Sequence, residues 1–220
     1  MHLSPMLARY IVVEGNIGSG KTSLATLLAE TFKSELLLEE FADNSFLPKF
    51  YENPERWAFP LELSFLADRY HQMKKTIDRI LISGDLLVAD YLFDKSLIFA
   101  KNNLTANEIH LYETFFSIVN AQLPKPDLII YLDNSIENLQ KKIKKRNRVF
   151  EKNISSDYLE QITKGYKNFI ANNPSINWLI VPADNLDFVN KPEDFNKVLS
   201  DIKFALSNNQ TNLFGSSTID

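Results

Sequence analysis

The chain has no cysteine, so disulfides and thiolate metal sites are excluded, and a reducing compartment such as the cytoplasm is the expected setting. It has no excess of positive charge either: Lys and Arg number 24 against 28 Asp and Glu, a formal net charge of -4. No overall field would gather nucleic acid, so any phosphate binding must be local. Long apolar runs are missing as well. Nothing approaches the roughly 20 residues of a membrane span, and the opening MHLSPMLARYIVV lacks an apolar segment of signal-peptide length. Neither membrane nor nucleic acid is an expected partner. Glycine is scarce, with six in 220 residues, yet three fall between positions 15 and 20. Such crowding marks a place where bare backbone is needed.

A hydrophobic content of 45% at this length suits one domain with a full core. We expect it over 1–205, with the polar end SNNQTNLFGSSTID inside a flexible tail at 206–220. Five short β-rich runs, YIVVE, ELLLE, DLLVAD, PDLIIYLD and NWLIVPAD, alternate with longer segments of helical spacing. That order predicts an α/β fold, a five-stranded parallel sheet flanked by helices in a three-layer sandwich. Each run ends on an acid, Glu14, Glu39, Asp90, Asp133 or Asp184, at the carboxyl edge where open α/β sheets bind ligands. Acids at strand ends also cap helices, and Asp133 and Asp184 read best that way.

The crowded stretch VEGNIGSGKTSL satisfies G-x-x-x-x-G-K-[ST] between the run YIVVE and the helical pattern TSLATLLAETF. A polyphosphate needs many N–H donors at short range, and a glycine-rich turn at a helix N-terminus supplies them. Gly15, Asn16, Ile17, Gly18, Ser19 and Gly20 therefore form an ATP-binding loop, with Lys21 on the β and γ phosphates and the Thr22 hydroxyl on Mg²⁺. A GTPase is disfavoured, because the Asn-Lys at NKPED lacks the acid of a guanine reader at the right spacing.

The segment FYENPERWAFPLELSFLADRY closely resembles the substrate region of the deoxynucleoside kinase family, and the resemblance continues through LIFAKNNL and KKRNRVFEKNISSDYLEQI. Bacterial deoxyadenosine and deoxyguanosine kinases look like the nearest branch. The resemblance implies transfer of the ATP γ-phosphate to the 5′-hydroxyl of a deoxynucleoside, with Mg²⁺, a helical lid at about 142–154, and a homodimer formed through helices near 61–82 and 105–122. It implies Glu39 as catalytic base, where EEF stands for the family's Glu-Pro-apolar stretch and alternation along a strand favours Glu39 over Glu40. Asp90 matches the acid of a Glu/Asp-Arg-Ser motif, although DYL follows it; a shifted reading through FDKS would use Asp94 and Lys95 instead. Lys95 is either a substitute cation or a solvated lysine.

In the lid, Arg146 and Arg148 match groups that neutralise the transferred phosphoryl, and Lys142 stands where an arginine is usual. Asp187, in PADNLDF, matches the loop bordering the ATP adenine. For the acceptor, Tyr51 and Glu151 match sugar contacts, Trp57 and Phe99 aromatic base contacts, and Arg69 a base-contacting arginine. Glu62 stands where most members carry a base-reading glutamine. An ionised carboxylate only accepts, which suits the guanine donors at N1 and N2; adenine N1 would require a protonated Glu62 or a water. A deoxypurine is the expected acceptor. Two other readings compete: a nucleoside monophosphate kinase, which would need further cations for an acceptor phosphate, and a non-enzymatic ATP-dependent switch.

Overall fold

The computed structural model describes residues 10–40, 44–148, 151 and 154–214. Its five strands are β1 (Tyr10–Gly15), β2 (Glu35–Leu37), β3 (Leu87–Ala89), β4 (Leu128–Asp133) and β5 (Trp178–Pro182). They form one sheet in the order β2-β3-β1-β4-β5, and every pairing is parallel. Val12 sits between Ala89 and Ile129 at the centre. Parallel strands need crossovers, and the helical segments predicted from the sequence supply them.

Continuous apolar runs become strands here because both sheet faces are covered. Tyr10, Val12 and Ile129 point into one core with Leu66, Met73 and Phe116, whereas Ile11, Val13 and Ile130 point into another with Leu24, Leu28 and Ile202. The first core lies under α3 (Pro54–Ser83), α4 (Lys95–Asn103) and α5 (Ala106–Asn120), and the second under α1 (Lys21–Phe32) and α8 (Pro192–Phe214). The period of two in β1 thus divides the chain into three layers. Short α2 (Leu47–Glu52) and α6 (Ile136–Arg146) follow, and α7 (Ser156–Asn172) lies beside α4, with Ile162 and Tyr166 packed on Ile98 and Tyr131.

Two boundaries differ from the sequence expectation. Helix α3 starts at Pro54, because the Asn53 side chain accepts from the Arg56 N–H and proline fits the first turn. Helix α8 runs to Phe214, so it passes the point where a flexible tail was expected; residues 215–220 lie outside the described residues. No helix among the described residues is long and apolar enough to cross a membrane.

Leu28 has no exposed surface and fills the α1 core, so Leu28→Ala should cost about 2–5 kcal/mol in urea unfolding. Phe204→Ala, at 68% exposure, should stay within about 0.5 kcal/mol of the parent. Equal costs at the two positions would contradict the layer assignment.

Candidate active site

The loop between β1 and α1 is shaped by left-handed backbone at Gly18 (φ 81°) and Gly20 (φ 99°). A Cβ on Gly18 would also lie 2.7 Å from Ile143 Cγ1, so any side chain there would push α6 off the loop. Asn16 anchors the turn, its Nδ2 donating to the Leu159 carbonyl at 2.8 Å and to Thr163 Oγ1 at 2.7 Å. Lys21 Nζ donates to the carbonyls of Gly15 and Asn16 at 2.9 and 3.0 Å. Burial, then the charge of Lys95, pull this ammonium down to about 8.

Asp90 connects the loop to the neighbouring strand. Its Oδ2 accepts from Thr22 Oγ1 at 2.6 Å, and its Oδ1 accepts from the Glu39 backbone N–H at 2.7 Å. Strand β2 stops at Leu37, so strand alternation does not orient Glu39; Asp90 and two cations do. Glu39 Oε1 accepts from Arg69 Nε at 2.9 Å and Nη2 at 2.6 Å, and Oε2 accepts from Lys95 Nζ at 2.6 Å. Burial works to raise this carboxyl, yet Lys95 and Arg69 overcome it and hold Glu39 well below the usual carboxylate range. Glu40, by contrast, is exposed.

These contacts bear on several expectations. Arg69, expected as a base contact, lines the cavity with its guanidinium held by Glu39 and, through Nη1, by Ser96 Oγ at 2.9 Å. Lys95 is buried, which removes the solvated-lysine alternative. Asp94 precedes α4 and lies 3.9 Å from Lys125 outside the cavity, so of the shifted reading through FDKS only Lys95 reaches the site. Glu14 is spent on structure: Oε1 accepts from Tyr166 and from the Gly15 N–H, and Oε2 accepts from the Leu92 N–H. Asp184 accepts from the Ser135 N–H and from Asn138 Nδ2, tying the end of β5 to α6, whose own cap is the Ser135 side chain.

A cavity of about 790 Å³, counting its open mouth, runs from Lys21 and Thr22 past Glu39, Asp90 and Lys95 to Glu62. Tyr51, Phe99 and Glu151 line it, as do Arg146 and Arg148. Both arginines turn to Glu151: Arg146 makes a forked pair with it, and Arg148 Nη1 lies at 3.4 Å. Of the segment expected to form a lid, Val149, Phe150, Lys152 and Asn153 lie outside the described residues, as does Phe41 beside Glu39 and Glu40. Trp57 is not in this wall. It opens α3 and packs on Phe46 at 5.9 Å, with the Lys49 ammonium 4.7 Å over its ring.

Several lining residues had no sequence signal of their own. Phe65 falls on the α3 face already marked by Glu62 and Arg69, so helical spacing was enough to find it. Leu47 and Phe50 of α2, Asn103 of α4 and Tyr158 of α7 enter by tertiary packing alone.

A second cleft, about 1120 Å³ with its open side, lies behind the loop and is lined by Ser23, Lys142, Lys145, Asp187 and Phe188. Both spaces share Gly18, Lys21, Thr22, Arg146 and Arg148. A phosphate held between them would be reachable from either side.

Strand, glycine loop, helix, acid beneath the threonine hydroxyl and arginines above together define a P-loop phosphotransferase. The deoxynucleoside kinase family model matches residues 11–207, and the chain belongs to that family. Deoxyguanosine kinase of Bacillus subtilis (strain 168) is 38% identical over 200 residues, covering 89% of this chain and 97% of that protein. Deoxyguanosine kinase of Lactobacillus johnsonii is 31% identical over 206 residues, covering 87% and 90%. A deoxyadenosine kinase structure from M. mycoides, with dCMP and dCDP bound, superposes with a TM-score of 0.77 at 22% identity, over 88% of this chain and 98% of that one, and shares its fold. The chain is thus an enzyme, a deoxynucleoside kinase that takes ATP as co-substrate.

Glu62 is only 2% exposed, and burial, opposed by Arg69 and Asn103, pushes its carboxyl up to about 7. The folded state then holds this proton more tightly than the unfolded chain does. Its contribution is full below about pH 4.5 and is lost as pH rises through about 7, worth about 3 kcal/mol. Glu62→Gln should therefore gain stability over the parent at about pH 8 and very little at about pH 4.5, measured by urea unfolding. A pH-independent difference would contradict the buried, proton-holding carboxyl.

Proposed function

We propose that the chain phosphorylates the 5′-hydroxyl of a deoxypurine nucleoside, deoxyguanosine or deoxyadenosine, in cytoplasmic nucleotide salvage. The observation that carries this reading is the pair of spaces meeting at Gly18, Lys21, Thr22, Arg146 and Arg148, with an acid-lined cavity on the acceptor side. The ATP tail fits the loop, its adenine lying toward Asp187 with Lys142 beside it. The nucleoside fits the cavity, its base between Phe65, Phe99 and Glu62 and its sugar near Tyr51 and Glu151. Deoxyguanosine kinases among the relatives support a purine.

Glu39, held ionised, accepts a hydrogen bond from the 5′-hydroxyl and points its oxygen at the γ-phosphate. A strongly acidic carboxylate is a weak base, so it orients the alcohol first and takes the proton late. That sequence suits a loose transition state, in which the nucleophile does little bonding early. Thr22 Oγ1 and Asp90, hard oxygen donors side by side, fit a Mg²⁺ that takes its other ligands from phosphate and water. When bound, that ion neutralises phosphate charge. Lys21 holds the phosphate tail, while Arg146 and Arg148 leave Glu151 in part to meet the charge that develops on the phosphoryl oxygens. A nucleoside monophosphate as acceptor would set its own phosphate against Glu39, which disfavours it.

Glu39→Gln should lower kcat by at least about 100-fold while ATP affinity changes little, checked by steady-state kinetics and calorimetry. A collapse in Glu40→Gln alone would move the base by one position. We also propose a homodimer through α5, where Leu111, Phe115 and Ile118 form one exposed apolar stripe at 48%, 43% and 58% exposure. The double substitution Leu111→Glu with Phe115→Glu should give monomers in light scattering; an unchanged mass would exclude that face.

A further inference from the structure

The inner end of the cavity holds a second buried carboxylate whose environment is opposite to that of Glu39. Glu62 Oε1 accepts from Asn103 Nδ2 at 2.7 Å, while Oε2 is buried with no hydrogen-bond partner. The cavity wall here includes the apolar side chains of Leu61, Phe65 and Phe99 beside Tyr51 and Tyr158. An orphaned acceptor in such a wall is costly unless a ligand or a proton completes it. The charged groups near it, Arg69 on α3, Lys95 on α4 and Glu39 after β2, are already paired with one another. Tyr51, Tyr112 and Tyr158 also face it, and burial raises all three, so they stay neutral at working pH. Glu39 takes the direct contacts of both cations, so Arg69 and Lys95 act on Glu62 only from a distance and offset its burial in part.

We propose that Glu62, with one oxygen pinned by Asn103, presents the other to the purine edge, and that its proton selects which purine is accepted. This rests on the kinase reading above and deepens it. Ionised, Oε2 can only accept, and it matches the N1–H donor of a 6-oxopurine such as guanine. Protonated, it becomes a donor and matches the bare N1 acceptor of a 6-aminopurine such as adenine. Asn103 is a positioning residue: by occupying Oε1 with a donor, it leaves Oε2 as the atom that carries the proton. With the carboxyl titrating near 7, both forms are populated at physiological pH. One site then serves both purines, and acidity shifts the balance between them.

The test is kcat/KM for deoxyguanosine and for deoxyadenosine from about pH 6 to about pH 8, where neither base titrates and kcat/KM reports groups of the free enzyme. The guanosine to adenosine ratio cancels effects common to both substrates. It should rise by about tenfold per pH unit in the parent and be flat in Glu62→Gln, whose amide does not titrate. Asn103→Ala should raise KM for both nucleosides with kcat nearly kept, and should flatten the slope in part. A flat ratio in the parent, or an equal slope in Glu62→Gln, overturns the role of Glu62 while leaving the kinase reading intact. If neither nucleoside is phosphorylated at any pH, both fall together.

Discussion

A carboxylate buried between two cations organises this molecule: Glu39, gripped by Arg69 and Lys95 and seated by its backbone on Asp90. Removing charges from water costs several kcal/mol per ion, and only close pairing offsets it, so none of these groups can shift alone. The contact joins the ends of β2 and β3 to α3 and α4, elements far apart in sequence. Through Asp90 and Thr22 it continues into the phosphate loop. Acceptor cavity and phosphate loop are thereby held in one rigid relation, which is what a transfer between two bound substrates needs.

Two acids in one cavity meet different fates because the cations are shared unequally. Glu39 takes both and stays ionised; Glu62 has an amide and an apolar wall and keeps its proton far longer. Environments that push neighbouring carboxyls apart mark a division of labour, which we propose lies between handling the sugar alcohol and reading the base. The lid follows the same logic in reverse. Arg146 and Arg148 rest on Glu151, a carboxylate that holds them near the transfer point.

Much of this was legible in the residue order. The five strands follow from apolar runs too continuous for a half-wet sheet, and the phosphate loop from glycines at fixed spacing before a helix. Asp90 was placed by its position at a strand end. What escaped was set by long side chains crossing between elements. Arg69 lies on the expected face of α3, but nothing local says that its guanidinium will turn to Glu39. For Lys95 the residue order left a substitute cation and a solvated lysine both open, and only the fold of α4 buries it against Glu39. Trp57 is one residue type among many aromatics, and its displacement to Phe46 and Lys49 depends on where α2 lands. Asn103, which holds Glu62, carries no motif at all.

The most direct measurement is a crystal structure with deoxyguanosine and a non-hydrolysable ATP analogue bound. The sugar 5′-oxygen should lie within about 3 Å of a Glu39 carboxylate oxygen and face the γ-phosphate in the glycine loop, with Arg69 and Lys95 still on Glu39. A 5′-oxygen turned to Glu151 or Glu62, with Glu39 beyond hydrogen-bond reach, would contradict the account at its centre.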